Sequence, residues 1–346
     1  MAPFYGIEGD YIETKNDNLI FDVKGVLHPD NRKICFIRFY PHNEGDRIRN
    51  GKHYKKIYDL SERYSFLKEN FQKYLFYSKE LDLELQGVEV KDIKRIYSPK
   101  DYFKSLSEKD CLSKLEEYSQ KLCELFINEG NISENSIGIT GSPMVSLAKE
   151  DSDIDLIIYG TKTSLAFQEN LNEILERSNN CRKYTLEEFQ YHFNWRAGGS
   201  NLSFEDFMRS EKRKQHQGKF FNTDFFIRYI KSPGDWKGNF YDYKYENCGR
   251  LRLIAEIINS TDSIFTPCTY KIRPIKILSS NPFFKEIDEF SLEEINSFRG
   301  RFCEHAIKGE RVLVEGKLEK VIFKDKEKYF RILLGDQVKD KMIILN

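Results

Sequence analysis

The segment Ile137–Gly160, IGITGSPMVSLAKEDSDIDLIIYG, sets two aspartates inside an apolar run. It constrains the chain more than any other stretch. A short apolar stretch, Ile137-Gly138-Ile139, leads to a turn at Gly141-Ser142. A polar loop from Lys149 to Ser152 follows. Asp153 and Asp155 then alternate with Ile154 and Leu156 before Ile157-Ile158-Tyr159. Strand side chains alternate between faces, so this spacing sends both carboxylates to one side and Ile154 and Leu156 to the core. Carboxylates rarely sit in an apolar strand without a partner. Two side by side repel each other, and a divalent cation is the natural partner.

The rest of the composition narrows the class. At 346 residues the chain has room for two or three domains. Lys+Arg and Asp+Glu each total 55, so no global basic field steers it onto nucleic acid, and any such contact is a local patch. The 27 Phe and 20 Tyr supply core, with some free to stack on bases. Seven cysteines, odd in number and without a C-x-x-C pair, argue against a disulfide framework or a zinc site. The N-terminus lacks a signal-type charged and apolar pair of regions, and no apolar run reaches membrane-spanning length. These features predict a soluble cytoplasmic protein with no membrane partner.

Along the chain, Leu19–Leu27 and Lys33–Tyr40 read as strands joined by a turn at His28–Arg32. Asp22, Lys24, His28 and Arg38 are read there as a solvated face. Residues 55–78 follow a helical period, and 81–96 read as short strands and turns. Ser107-Glu-Lys-Asp110 resembles a capping box opening a helix with the stripe Leu112, Leu115, Tyr118, Leu122 and Leu125, which Gly130 ends. Helices are expected over 165–177, 185–195 and 203–214. The last of these ends in a basic run with Arg209, Lys212, Arg213 and Lys214. Lys219–Ile230 reads as one apolar strand interrupted by Asp224. Beyond Asp235 the pattern predicts strands at 251–257, 263–273, 312–323, 329–334 and 341–345, with a short helix near Leu292–Ser297. That set suits a small barrel or sandwich, an OB-like barrel being one such form.

Three elements converge chemically. Ser142 suits a helix N-cap and Pro143 a first helical position, so the glycine turn and helix start make a phosphate cradle. Asp153 and Asp155 form a metal pair. Asp224 offers a third carboxylate from another strand. Asp22, Glu150 and Asp262 are weaker alternatives for that third position, and Asp151 reads as loop. Each aspartate has a bland alternative as a turn cap or an ion-pair partner.

Gly141-Ser142, ten residues, then Asp153-Ile-Asp155-Leu resembles the signature of the DNA polymerase β-like nucleotidyltransferase superfamily. Asp224, in Thr-Asp-Phe-Phe-Ile-Arg, is similar to its third acidic position. The whole chain, including Asp10-Tyr-Ile-Glu-Thr and Leu19-Ile-Phe-Asp-Val-Lys-Gly, resembles an archaeal family of predicted nucleotidyltransferases. The resemblance implies an α+β fold: a mixed sheet with flanking helices, an N-terminal α/β region and a small C-terminal β domain. It also implies two Mg²⁺ ions, replaceable by Mn²⁺, held by Asp153, Asp155 and Asp224. Gly141 and Ser142 would hold the β- and γ-phosphates of ATP or another nucleoside triphosphate. Arg228, four residues beyond Asp224, would reach a phosphate or pair with a carboxylate, and Arg209 and Arg213 are further phosphate candidates. About 68 residues separate Asp155 from Asp224, long for compact members of the superfamily.

The domains expected are 1–104, β-rich and helical; 105–235, catalytic; and 236–346, a small β domain. The activity expected is transfer of a nucleoside monophosphate to an acceptor hydroxyl with release of pyrophosphate. RNA is one acceptor, favoured by Lys317, Lys320, Lys324, Lys326, Lys328 and Arg331; edge-strand protection is the bland alternative for those cations. The alternatives are a non-catalytic nucleotide- or RNA-binding protein, and an enzyme that nucleotidylates a protein or small molecule.

Overall fold

Alternating apolar and polar residues govern the first hundred positions, and the backbone follows them into strands. The computed structural model describes residues 6–196, 201–280 and 291–345, so Met1–Tyr5 of the N-terminal reading lie outside the described residues. The chain forms two units, one of Met1–Ser78, Leu83–Arg182 and His216–Phe240, the other of Lys79–Asp82, Lys183–Gln215 and Tyr241–Asn346.

The first unit begins with eight strands: β1 (Tyr11–Thr14), β2 (Ile20–Val23), β3 (Arg32–Pro41), β4 (Arg47–Arg49), β5 (Lys52–Lys56), β6 (Leu75–Ser78), β7 (Leu83–Glu89) and β8 (Ile93–Tyr97). They run β4-β5-β3-β2-β1-β8, with β7 on the start of β3 and β6 on β7. One face buries Phe21, Val23, Cys35 and Ile37 with Leu67 of helix α1 (Leu60–Asn70). The helix expected over 55–78 is therefore shorter. Asp59 caps it by accepting from the Ser61 and Glu62 amides, and Phe71 leaves helical geometry at φ −147°. Phe21 faces Ile37 but Ile20 faces Phe39, so Arg38 is the extra residue of a β-bulge.

Helix α2 (Pro99–Leu106) was not read from the sequence, although Ser98-Pro99 is a fair start signal. Helix α3 (Lys114–Gly130) opens one turn and a half later than expected. Its capping box is Ser113 with Glu116 rather than a box at Ser107. Asn131, left-handed at φ 48°, closes it. Strands β9 (Ile137–Thr140) and β10 (Ile154–Tyr159), helix α4 (Thr161–Arg177), and strands β11 (Cys181–Arg182), β12 (Gln217–Phe220) and β13 (Thr223–Ile230) complete this unit. The sheet order is β11-β12-β13-β10-β9, and β10–β13 is its parallel pair. Lys219–Ile230 is thus a hairpin, not one strand. Phe221 and Asn222 turn it with positive φ, and Phe221 stacks on Tyr118 of α3, ring centroids 4.9 Å apart.

The second unit holds helices α5 (Leu186–Arg196) and α6 (Phe204–Glu211), joined through Phe189, Phe193 and Phe207. Six strands follow: β14 (Tyr243–Asn259), β15 (Cys268–Ser280), β16 (Leu292–Ser297), β17 (Arg311–Phe323), β18 (Glu327–Leu333) and β19 (Lys341–Ile344). The long β14 pairs with both β15 and β17. The pairing therefore closes into a ring, β14-β15-β16-β18-β17, with β16–β18 parallel and β19 added outside β17. Leu253, Ile257, Tyr270, Ile295, Val314 and Ile332 fill it. Leu292–Ser297, expected as a helix, is the strand that joins β15 to β18. Its ladders on both sides outweigh local helical preference.

The fold is α+β with several sheets. Among the described residues no helix is long and apolar enough to cross a membrane. All seven cysteines are free thiols.

Candidate functional site

The parallel register brings the carboxylates together. Asp155 is level with Phe226 and Ile154 with Phe225, so Asp153 and Asp224, one residue before the two paired stretches, arrive at the same end of β10 and β13. Side-chain alternation puts Asp153, Asp155, Asp224 and Arg228 on one face. The other face, with Phe225 and Tyr229, packs on Phe126 of α3 and Phe167 of α4. On the second side of β10, Asp155 is level with Thr140, the last residue before Gly141. Gly141 takes φ +84°, and a Cβ there would lie 2.7 Å from Asp155 Oδ2. Glycine is required by both the backbone and the carboxylate.

After Ser142 the chain makes a single 3₁₀ turn, Pro143–Val145, which Ser146 ends at φ 56°. The expected helix start is absent, because one turn aligns too few peptide dipoles to hold an anion. Ser142 does not cap it. Its Oγ lies 3.4 Å from Ser152 Oγ, while the Leu147 amide returns to the Ser142 carbonyl at 2.9 Å.

Lys219, opposite Asp224 in the hairpin, donates to Asp224 Oδ2 at 2.9 Å. Asp153 keeps an open edge. Loss of solvation within the recess, then the charges of Asp155 and Asp224, push its carboxyl up to about 7. Arg228 donates to Glu8 Oε1 at 2.8 Å, taking the carboxylate-pairing role. Glu8 also receives Lys24 at 3.3 Å and the Gly25 amide at 2.7 Å. Asp22 bonds Lys24 at 2.9 Å. Burial alone would raise the Asp22 carboxyl, but Lys24, Arg228 and Arg38 outweigh it and hold the group below the usual range.

The N-terminal sheet walls this recess. Phe39 and Tyr54 pack against Met144, Val145 and Leu147, the residues just after the glycine turn. Arg47 donates to the Leu147 carbonyl, and Thr140 Oγ1 donates to the Gly9 carbonyl at 2.5 Å. Lys56, level with Phe39, faces Asp153 and Asp155. Burial, then the charges of Arg38 and Arg47, lower its ammonium to about 8. Lys56 and Arg47 escaped sequence reading. Nothing local to KHYKK marks one of its three lysines as facing a site that lies about a hundred residues further on.

Arg209 and Arg213 belong to the second unit and are engaged within it. Arg209 pairs with Glu205 at 2.9 Å and donates to the Ile344 carbonyl, and Arg213 pairs with Glu310 at 2.9 Å. Of the barrel cations, Lys317 and Arg331 pair with Glu319, Lys320 with Glu246 and Lys324 with Asp242. Among the described residues, no group of three or more His, Cys, Asp or Glu side chains is gathered tightly enough to hold a metal ion.

No protein-family model and no solved structure matches the chain. It is 30% identical over 335 residues, 94% of each chain, to Uncharacterized protein MJ1086 of Methanocaldococcus jannaschii. The chain belongs to the family of that protein.

Proposed function

We propose that this chain is a nucleotidyltransferase of the polymerase β-like kind, moving a nucleoside monophosphate from a triphosphate to an acceptor hydroxyl. One observation carries the reading. Asp153 and Asp155, with Asp224 from far along the chain, share one face at one end of a parallel strand pair, beside a glycine turn pressed against Asp155.

The donor chemistry fits Mg²⁺ or Mn²⁺. The three groups are all oxygen donors, and the carboxyl of Asp153, raised first by lost solvation and then by the charges of Asp155 and Asp224, would be relieved by a cation. Asp153 and Asp155 would hold the metal jointly, with Asp224 as the third ligand once it exchanges its Lys219 partner. Bound there, the metal supplies charge stabilisation to the entering and leaving oxygens. The chain's own residues do the rest. The Gly141 turn lets backbone approach the phosphates, and Asp224 accepts the acceptor hydroxyl's proton. The hydroxyl oxygen bonds to the α-phosphorus, the α–β bridging bond breaks, and pyrophosphate leaves with that electron pair.

The ring order of the second unit, with its one parallel pair, supports an OB-like barrel. That in turn favours an oligonucleotide as acceptor. The ion pairs of Lys317, Lys320, Lys324 and Arg331 weigh against a strong basic patch on it.

The test is incubation with each labelled NTP, Mg²⁺ or Mn²⁺, and total RNA. Labelled RNA with pyrophosphate release, lost in Asp153→Asn, is the expected result. Label on the protein itself points to protein nucleotidylation. Binding of NTP with no pyrophosphate under any metal leaves only the non-catalytic alternative.

A further inference from the structure

We infer that Arg38 and Lys56, presented by the N-terminal sheet, form an anion-binding wall that takes the polyphosphate chain of the nucleotide. This rests on the reading of the recess as a nucleotidyl-transfer site and supplies the phosphate partners that Arg209 and Arg213 were expected to be.

Three cations gather on this wall. Arg38, Arg47 and Lys56 lie close enough for the two guanidiniums to depress the ammonium of Lys56. Arg47 spends its two terminal nitrogens on the Leu147 carbonyl and, at 3.5 Å, on Tyr58 Oη, which leaves only its buried Nε without a partner. Arg38 and Lys56 form no close ion pair among the described residues; Arg38 bonds Tyr11 and feels Asp22 and Asp155, and its Nε is buried without a hydrogen-bond partner. Lys56 Nζ rides over the Tyr58 ring at 4.6 Å. At Lys56 the neighbouring guanidiniums outweigh the carboxylates of Asp155 and Asp153, an excess of like charge that an anion would offset.

The backbone aims them. Arg38 is the extra residue of the β3 bulge, a device that redirects a side chain out of the regular alternation. Lys56 is level with Phe39 on β5, and Phe39 packs on the segment that follows the glycine turn. The two cations therefore stand on the same side as the Gly141 turn, with Asp153 and Asp155 facing Lys56. An anion that meets cations on one side and metal-seeking carboxylates on the other is a metal-chelating one. A planar guanidinium grips two oxygens and an ammonium takes a third, which suits linked phosphates better than a single one.

The test is calorimetric titration of the full chain, in EDTA and at low ionic strength, with inorganic tripolyphosphate, ATP and orthophosphate. Tripolyphosphate and ATP should bind, with orthophosphate weaker. Lys56→Met and Arg38→Gln should each weaken tripolyphosphate by about ten-fold, the loss of one charge-assisted contact, and Lys56→Arg should recover most of it. Thermal melts check folding, and Lys56→Met alone decides the matter if Arg38→Gln unfolds. Wild-type affinity in folded Lys56→Met, or no binding of tripolyphosphate by the wild type, overturns the inference. Variant-sensitive tripolyphosphate binding without any metal-dependent pyrophosphate release would retire the transfer reaction and keep the anion wall. Pyrophosphate release with unchanged Lys56→Met binding would do the reverse.

Discussion

Gly141 and Asp155 are in such close register that no side chain fits between them: a Cβ on Gly141 would stand 2.7 Å from Asp155 Oδ2. The positive φ of Gly141 adds a second penalty for any L-residue. Gly141→Ala should cost about 1 kcal/mol or more in urea unfolding. Transfer activity should fall further than stability does, because the displaced carboxylate is a metal ligand in the proposed mechanism. A variant with wild-type turnover would show that the carboxylate position does not matter.

Asp153 carries the opposite kind of signature. Its carboxyl is raised from 3.8 to about 7, so the folded state holds the proton more tightly than the unfolded one. Stability contributed by the protonated form is therefore lost as pH climbs from about 4 to about 7. In EDTA at pH 8, Asp153→Asn should melt higher than wild type, by on the order of 1 kcal/mol after solvent screening. The same variant should be inactive with metal, a trade of stability against function. A lower melting temperature at pH 8 would contradict the account of a desolvated carboxylate crowded by its neighbours.

Glu13 tests the scaffold. Burial would raise its carboxyl. Arg49 at 2.8 Å, Lys94 at 2.8 Å and Tyr97 at 2.5 Å overcome that and hold it down to about 2. A lowered folded value means stability present above the unfolded value near 4.5 and lost as pH falls toward 2. Glu13→Gln, which leaves Arg49 without its carboxylate, should cost about 3 kcal/mol at neutral pH. The gap between variant and wild type in urea midpoints should narrow at pH 3.

Gly130 sets two effects against each other. Alanine favours a helix by about 1 kcal/mol over glycine. Here, though, a Cβ would meet Phe167 Cδ2 and Cε2 at 2.6 Å, where α3 crosses α4. Overpacking of that kind costs about 1–3 kcal/mol, so Gly130→Ala should be net destabilising. Phe167→Leu in the same chain should reverse the sign of the Gly130→Ala effect, read from thermal melts.

What sequence could reveal follows from range. The acidic strand was legible because its evidence is local: Asp153 and Asp155 alternate with residues that must be buried. Asp224 was legible only through its apolar flanks. The hairpin that presents it was hidden, since Phe221 is no turn former and adopts its positive φ in a stack on Tyr118. Leu292–Ser297, LEEINS, lacks the alternation of apolar and polar residues that declares a strand, and only its two partners decide it. Asp22 and Arg38 were visible as polar residues on a strand and read as solvated. Their place beside Arg228, about two hundred residues on, and beside Lys56 on a neighbouring strand arises from packing that no periodicity encodes.

The first unit is assembled from three separate lengths of chain, and β13, the carrier of Asp224, lies in the last of them. On the ribosome, β9 and β10 are made long before their acidic partner. A nascent chain halted between Tyr159 and Thr223 carries the glycine turn and the aspartate pair but not Asp224. Under the proposed mechanism, activity would therefore arrive late in synthesis and in a single step, and a fragment ending ahead of β13 would lack the residue that takes the acceptor's proton.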